Sequence, residues 1–351
     1  MKRARLWIAV LALAAVSLEP LTARSDTPPG TWDIARDPAE RGRWALHVRV
    51  QRLIAGHSPD GEGGPDKELR LEAALALLQE SDAAHSPDVR LRYDLGMVYQ
   101  RLADVQERVD LRLRAVDMLV PALGAGPDDV AATDAMEALV YAYAKLNRPH
   151  EELAVWRRYI PRLLNDGARA MAMMNMGEAE MRLGRVDDAL GTFREVLRLC
   201  GDLPSSIAAS STYVLTLWDL AVALDRSGDP QGALAAAAKA SLMKVGNSSG
   251  RDLVEHDPQV FFIPEWERDW YIALSDAALA RLADDARDAT RLWGEAERHW
   301  DIYVERSSAA GGSDPWLAIG RVRRESARVA HVAALKRAAK LPARTLPRDS
   351  P

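Results

Sequence analysis

The sequence predicts an all-α chain of stacked helical hairpins. Three observations lead there. Amphipathic segments come in pairs joined by tight turns, and within each segment the apolar residues recur at spacings of three and four. No stretch sustains an alternation of Val, Ile and Thr, and only three Phe occur in 351 residues, which argues against sheet structure. No segment is long enough to bury its own apolar stripe, so each needs neighbours.

The clearest pair runs from Ala168 to Leu199. Met173, Met176, Gly177 and Glu180 mark one helix, Leu183-Gly184-Arg185 the turn, and Ala189, Phe193 and Val196 the other. The remaining elements follow in chain order. Asp37 to Ile54 reads as a helix with Trp44, Val48 and Gln51 on one side, and His57 to Asp66 is a Gly- and Pro-rich loop. Lys67 to Ser81 closes a first hairpin, with Leu71, Ala74, Leu75 and Leu78 facing inward. A second begins near Pro87; its second helix covers Asp110 to Leu123, where Pro121 is placed to bend or end it.

The third hairpin runs from Ala132 to Leu164, with Pro149 in the first turn of a helix, where its missing N–H costs nothing. The opening pair is the fourth. The fifth, Thr212 to Met243, has Asp229-Pro230 as a cap followed by a first-turn proline. Lys244 to Glu265 is a long connector that ends in Val260-Phe261-Phe262-Ile263-Pro264, an apolar run outside any helix. Such a run must be buried somewhere, and the expected place is the groove or the sixth hairpin, near Trp266 and Trp270. That hairpin spans Trp266 to Ala283 and Asp288 to Arg306, and Pro315 to Lys340 is a final covering helix over Trp293, His299, Trp300 and Tyr303.

These residues resemble the tetratricopeptide repeat. In the pair from Ala168 to Leu199, Met176 stands at that pattern's position 7, Gly177 at 8, Gly184 at 15, Ala189 at 20 and Phe193 at 24. Leu95, Gly96 and Tyr99 fit in the second hairpin, Leu139, Tyr143 and Trp156 in the third, and Leu220, Ala221, Gly228, Ala233 and Ala240 in the fifth. Glu180 and Val196 depart from it. So does the period: Gly96, Val140, Gly177 and Ala221 lie 44, 37 and 44 residues apart, against 34 for the family. The resemblance implies a right-handed α-α superhelix, a solenoid of five to six hairpins over residues 37–340, with 244–265 inserted and a covering helix at the C-terminal end.

The resemblance also implies a concave groove lined by the first helix of each hairpin. Carried over residue by residue, its lining is Tyr93, Met97, Gln100, Arg101, Glu137, Tyr141, Met171, Met174, Glu178, Met181, Trp218, Val222 and Asp225. Met173 and Met176 are core residues on the same register. Arg101, Lys145, Arg182 and Arg226 all fall at position 13. Relatives that grip a C-terminal carboxylate carry Asn at position 9 and Lys at position 5, and this chain has neither, so that recognition mode is not supported.

The first residues have the pattern of an export signal. Lys2, Arg3 and Arg5 precede an apolar run from Leu6 to Leu18, with a cleavage site after Ala23. That run is shorter than the roughly 20 residues of a comfortable span. Residues 1–23 are thus a signal peptide, 24–36 a loose lead-in and 341–351 a disordered tail, and the expected location is the periplasm or the outside of a bacterial cell. The charge, −5 for the whole chain and more negative without the signal, disfavours nucleic acid.

Catalytic patterns are absent: no phosphate loop, no HExxH, no paired Cys, no nucleophile elbow. His256 and His299 have no partner at ligand spacing. Cys200, the single cysteine, reads as a small residue at a helix end. No cofactor and no enzymatic activity are expected. The expected function is a scaffold that binds a peptide or protein in its groove, within an envelope complex. The alternatives are a metal-binding or enzymatic protein, using Asp60, Glu62 and Asp66 for Ca²⁺ or the Met cluster for Cu⁺, and a spacer without a ligand groove.

Overall fold

The computed structural model describes residues 38–56, 67–125, 130–202, 207–257, 260–311 and 314–340. The expected signal peptide, lead-in and tail and the candidate Ca²⁺ loop lie outside the described residues. The chain divides into two units at Gly64 and Pro65. In the first, α1 (Pro38–Ala55) is an 18-residue helix with Trp44 tilted against His47 at 5.3 Å.

The second unit is all-α in its framework. After α2 (Lys67–Glu80) come four hairpins: α3 (Val89–Gln106) with α4 (Val109–Ala125), α5 (Val130–Lys145) with α6 (Pro149–Tyr159), α7 (Asp166–Arg182) with α8 (Val186–Asp202), and α9 (Ile207–Arg226) with α10 (Pro230–Leu242). A connector carrying α11 (Gly250–His256) leads to α12 (Glu267–Leu282) and α13 (Ala286–Ala309), and α14 (Leu317–Ala338) packs along α13. First helices of neighbouring hairpins touch one another, α3 on α5, α7 on α9 and α9 on α12. The result is a row in which each hairpin shelters the next.

One device recurs in all four hairpins. A single residue between the helices takes the left-handed conformation: Glu107 (φ 53°), Asn147 (φ 51°), Gly184 (φ 73°) and Gly228 (φ 93°). The following N–H then reaches back five residues, from Arg108 to Ala103, Arg148 to Tyr143, Arg185 to Glu180 and Asp229 to Leu224. This closes the orphan carbonyls at the end of the first helix. Caps start the helices where the sequence offers them. Asp88 accepts from the Arg90 N–H, Asn165 from Gly167 and Ala168, and Asp229 from Gly232.

The tight crossings fall where small residues stand. A Cβ added to Gly177 would sit 2.4 Å from the Phe193 ring, and one at Gly96 would sit 2.4 Å from Leu119. Ala221 is fully buried in the same cluster as Phe193 and Ala237. One core gathers Tyr93, Leu119, Met136 and Trp156 from α3 to α6. Another gathers Phe193, Trp218, Trp270, Trp300 and Tyr303 from α8 to α13. Trp270, Trp300 and Tyr303 meet edge to face at 4.9–6.0 Å. Trp293 is buried with them, while His299 is partly buried and held by the Asp269 carboxylate at 2.8 Å.

Asp314 fixes α14. It accepts hydrogen bonds from Tyr303, Ser307 and the Trp316 N–H, and these hold its carboxyl below the usual range although burial works against them. Cys200 is a buried free thiol packed with Ala170, Met174 and Val196, and burial pushes its pKa up.

Several expectations need correction. Pro121 does not end α4, which continues to Ala125. The fifth hairpin starts at Ile207 rather than Thr212. Leu75 is only half-buried on α2, beside the buried Leu71, Ala74 and Leu78. A small sheet exists after all: Lys244–Val245 pairs antiparallel with Ser248–Ser249 across a two-residue turn whose Gly246 has φ 59°. Two residues per strand leave no periodicity to read, and the positive φ is what the glycine supplies. Ser249 and Asp252 then form a capping box that starts α11.

Candidate functional site

The connector returns across the first helices. Its Phe261, Phe262 and Ile263 border a cavity of about 50 Å³. The rest of the wall comes from Val140, Tyr141 and Ala144 on α5, Glu152 and Trp156 on α6, Asn175, Glu178, Met181 and Arg182 on α7, Asp219 and Arg226 on α9, and Glu267 and Tyr271 on α12. Phe193 closes it from α8. Phe262 meets the Tyr271 ring edge-on at 5.1 Å, and the Lys145 ammonium lies 3.8 Å from the centre of the Phe261 ring. The apolar run thus bridges the third and sixth hairpins. Its sixth-hairpin anchor is Tyr271, not Trp270, which is sealed in the core. Burial of the run is partial: Phe261 keeps 37% of its surface exposed, and Phe262, Ile263 and Pro264 are half-buried.

Two buried ion pairs brace the walls. Arg182 Nη2 donates to Glu152 Oε2 at 2.6 Å, and the Trp156 indole N–H donates to the other oxygen at 3.1 Å. Arg226 donates to Glu267 and stacks over Trp270 and Trp316, 4.4 and 4.9 Å from the ring centres. Burial nonetheless pushes Glu152 and Glu267 up, with the arginines opposing it.

Two other carboxyls have no such counter-ion. Asp219 is 4% exposed. Its Oδ1 accepts from the Tyr271 hydroxyl at 2.9 Å, and its Oδ2 has no hydrogen-bond partner. Burial, and then the nearby Glu178 carboxyl, push Asp219 well above the usual carboxylate range. Glu178 makes no hydrogen bond among the described residues, and burial pushes it up to about 7 against the pull of Arg182.

Of the thirteen groove residues carried over from the repeat pattern, this cavity gathers three: Tyr141, Glu178 and Met181. Eight of the thirteen, Met181 included, are buried and in this conformation serve as packing. Tyr93 donates its hydroxyl to the Ala122 carbonyl at 3.3 Å, and Gln100 donates to Asp104 at 3.1 Å. Met97 joins the core around Leu119, and Met174 packs on Val196 and Cys200. Trp218, 1% exposed, donates its indole N–H to the Gly250 carbonyl at 3.0 Å, so the connector covers it. Val222 is buried with it, and Asp225 accepts from Trp270 at 3.1 Å and from Arg323 at 2.7 Å. Glu137 and Met171 are half-buried and Arg101 is exposed. The partners give the reason: Tyr93, Met97 and Met174 pack with the second helices of their own hairpins, the connector covers Trp218, and Arg323 of α14 reaches Asp225. The spacing departs as well, the four left-handed residues lying 40, 37 and 44 residues apart, longer than a 34-residue repeat.

Asn175, Asp219, Glu152, Glu267 and Tyr271 were not anticipated. Asp219 had a signal. It interrupts the apolar stretch from Tyr213 to Leu224 on a helix that is otherwise buried on several faces. The Met cluster is a packing feature, with Met174 and Met181 buried and Met171, Met173 and Met176 half-buried. Among the described residues no three His, Cys, Asp or Glu are grouped so as to hold a metal ion, and no helix is long and apolar enough to cross a membrane.

Similar structures are helical repeat proteins. One is a Podosopora anserina protein of nearly identical TPR-like repeats, described as a kinesin light chain: 16% identity, 57% of this chain and 93% of that one covered, TM-score 0.39. A point variant of it matches at 17% identity over 57% and 92%, with the same TM-score. No protein-family model and no curated protein matches the chain. At that level of likeness the repeat architecture rests on the four hairpins themselves.

Proposed function

We propose that the protein is a non-enzymatic scaffold that holds an extended polypeptide segment against the first helices α5, α7, α9 and α12. One observation carries the reading: the chain's own Phe261–Ile263, an apolar segment outside any helix or strand, already lies there. It is half-buried and not sealed, and a cation–π contact from Lys145 and an edge contact from Tyr271 hold it. Contacts of this size are worth about 1 kcal/mol each, so a better-fitting segment can replace it. The connector then acts as an internal stand-in for the partner. The N-terminal pattern of Lys2, Arg3, Arg5 and the apolar run to Leu18 supports export and a partner in a bacterial envelope complex.

The test frees the groove. In a Phe261→Ser/Phe262→Ser variant, a fluorescent peptide with the sequence Val-Phe-Phe-Ile-Pro should bind by anisotropy, and it should bind the wild type at least tenfold more weakly. Equal binding to both, or binding to neither, contradicts the reading.

A further inference from the structure

The cavity beneath Phe261–Ile263 holds an imbalance of charge that the scaffold reading does not use. Four acids line it: Glu152, Glu178, Asp219 and Glu267. Two arginines line it as well, and each is engaged, Arg182 with Glu152 and Arg226 with Glu267. Glu178 and Asp219 remain. Asp219 Oδ2 is buried and accepts nothing, although a buried carboxylate oxygen ordinarily finds a donor. Two like carboxyls lining one partly dry cavity cannot both ionise without cost. A single positive charge between them would remove that cost.

We propose that this cavity is a receptor for one primary ammonium group, seated between Asp219 Oδ2 and the Glu178 carboxyl. Size permits it: the cavity, about 50 Å³, can take a compact cationic head. The walls point to it too. Tyr141, Trp156 and Tyr271 offer aromatic surface, which favours a desolvated ammonium. Two carboxyls would leave most of the six or more oxygen positions of a hard divalent cation to water, for which this small cavity has little room. A second positive charge would meet Arg182 and Arg226, so the ligand is a monocation.

The ammonium can be that of a small free amine or of a lysine side chain on a bound polypeptide. The second source rests on the scaffold reading above, and the first does not need it. Binding requires both carboxyls ionised. The groups facing them are Arg182 on the same helix as Glu178, Glu152 on α6, Tyr141 on α5, and Tyr271 at Asp219, with Glu267 and Arg226 acting on Tyr271. Affinity should therefore rise with pH through neutrality.

The experiment is thermal unfolding of the full chain at pH 8. Methylammonium chloride and N-acetyl-lysine methylamide are compared with sodium chloride and tetramethylammonium chloride at equal ionic strength. At about ten times its Kd, a bound probe should raise Tm by about 3 °C over the sodium control. Asp219→Asn and Glu178→Gln, each of nearly unchanged shape, should abolish the rise while keeping the helical circular dichroism. A rise with methylammonium alone assigns the site to free amines, and a rise with the capped lysine alone assigns it to a partner's side chain. No rise above sodium with either probe, a rise of equal size with tetramethylammonium, or a rise that survives in both variants overturns the proposal. The anisotropy test of the groove uses neither variant, so the two failures are separable.

Discussion

Tyr271 donates its hydroxyl to Asp219 Oδ1 at 2.9 Å and ties the sixth hairpin to the fifth at the floor of the cavity. That bond neutralises nothing. It leaves a buried carboxyl whose other oxygen is unpaired and which the Glu178 carboxyl pushes further up.

Stability should therefore be highest on the acid side of neutrality. Burial raises Glu178 to about 7, and it raises Asp219, Glu152 and Glu267 as well. Between the unfolded carboxylate range near 4 and about 7, the native chain holds protons that the unfolded chain releases. Unfolding free energy thus falls as pH rises across that window. For Glu178 the loss over the whole window is on the order of 3–4 kcal/mol. Urea midpoints at pH 5.5 and pH 8 measure it: the acid value should be higher, and Glu178→Gln should shrink the difference.

The buried pair at the other wall should be sensitive to losing one member. Glu152 is 2% exposed, and Arg182 is its counter-ion. Arg182→Ala should cost about 3 kcal/mol, since it strands a buried charge. Adding Glu152→Gln should recover part of this. Arg198→Ala, which breaks an exposed i,i+3 pair with Glu195, should change stability by less than about 1 kcal/mol. Chemical denaturation of the three variants tests the contrast.

The left-handed turn residues make a matched set. Glu107→Gly and Asn147→Gly should each stabilise, Glu107 by about 1 kcal/mol and Asn147 by less, because a Cβ is strained there and Asn tolerates it better. Gly184→Ala should destabilise by a similar amount. Gly177→Ala is a different case: its φ is ordinary, but the new methyl collides with Phe193. It should cost about 1–3 kcal/mol, and Phe193→Leu in the same chain should offset part of that. Calorimetric Tm values rank all five.

The hairpins were legible because their signals are local. Gly184, Gly228, Asp229-Pro230 and the three- and four-residue spacings need no knowledge of what lies across the fold. Glu107 and Asn147 take the same turn without glycine, so the turn survives where its usual residue does not. The cavity was only partly legible. Tyr141, Glu178 and Met181 follow from repeat register, and the apolar run at Val260–Pro264 was conspicuous. Asp219 pairing with Tyr271 and Glu152 with Arg182 join residues 52 and 30 positions apart. Such partners depend on how hairpins of unequal length stack, and no pattern within one hairpin encodes them.

The connector's hold should be modest and divided. Phe262→Ala removes a half-buried ring and its edge contact with Tyr271, at about 1–2 kcal/mol. Phe261→Ala should cost less, since that ring is more exposed. Urea titrations of both variants check the order.

The most direct measurement is a crosslink between the groove and its own strap. Cysteines placed at Lys145 and Phe261, in a Cys200→Ser background, should be joined within one chain by a short bis-maleimide, and an excess of the Val-Phe-Phe-Ile-Pro peptide should suppress the product. Full reactivity of each single cysteine with no intramolecular product from the pair would contradict the placement of the connector and the scaffold reading built on it.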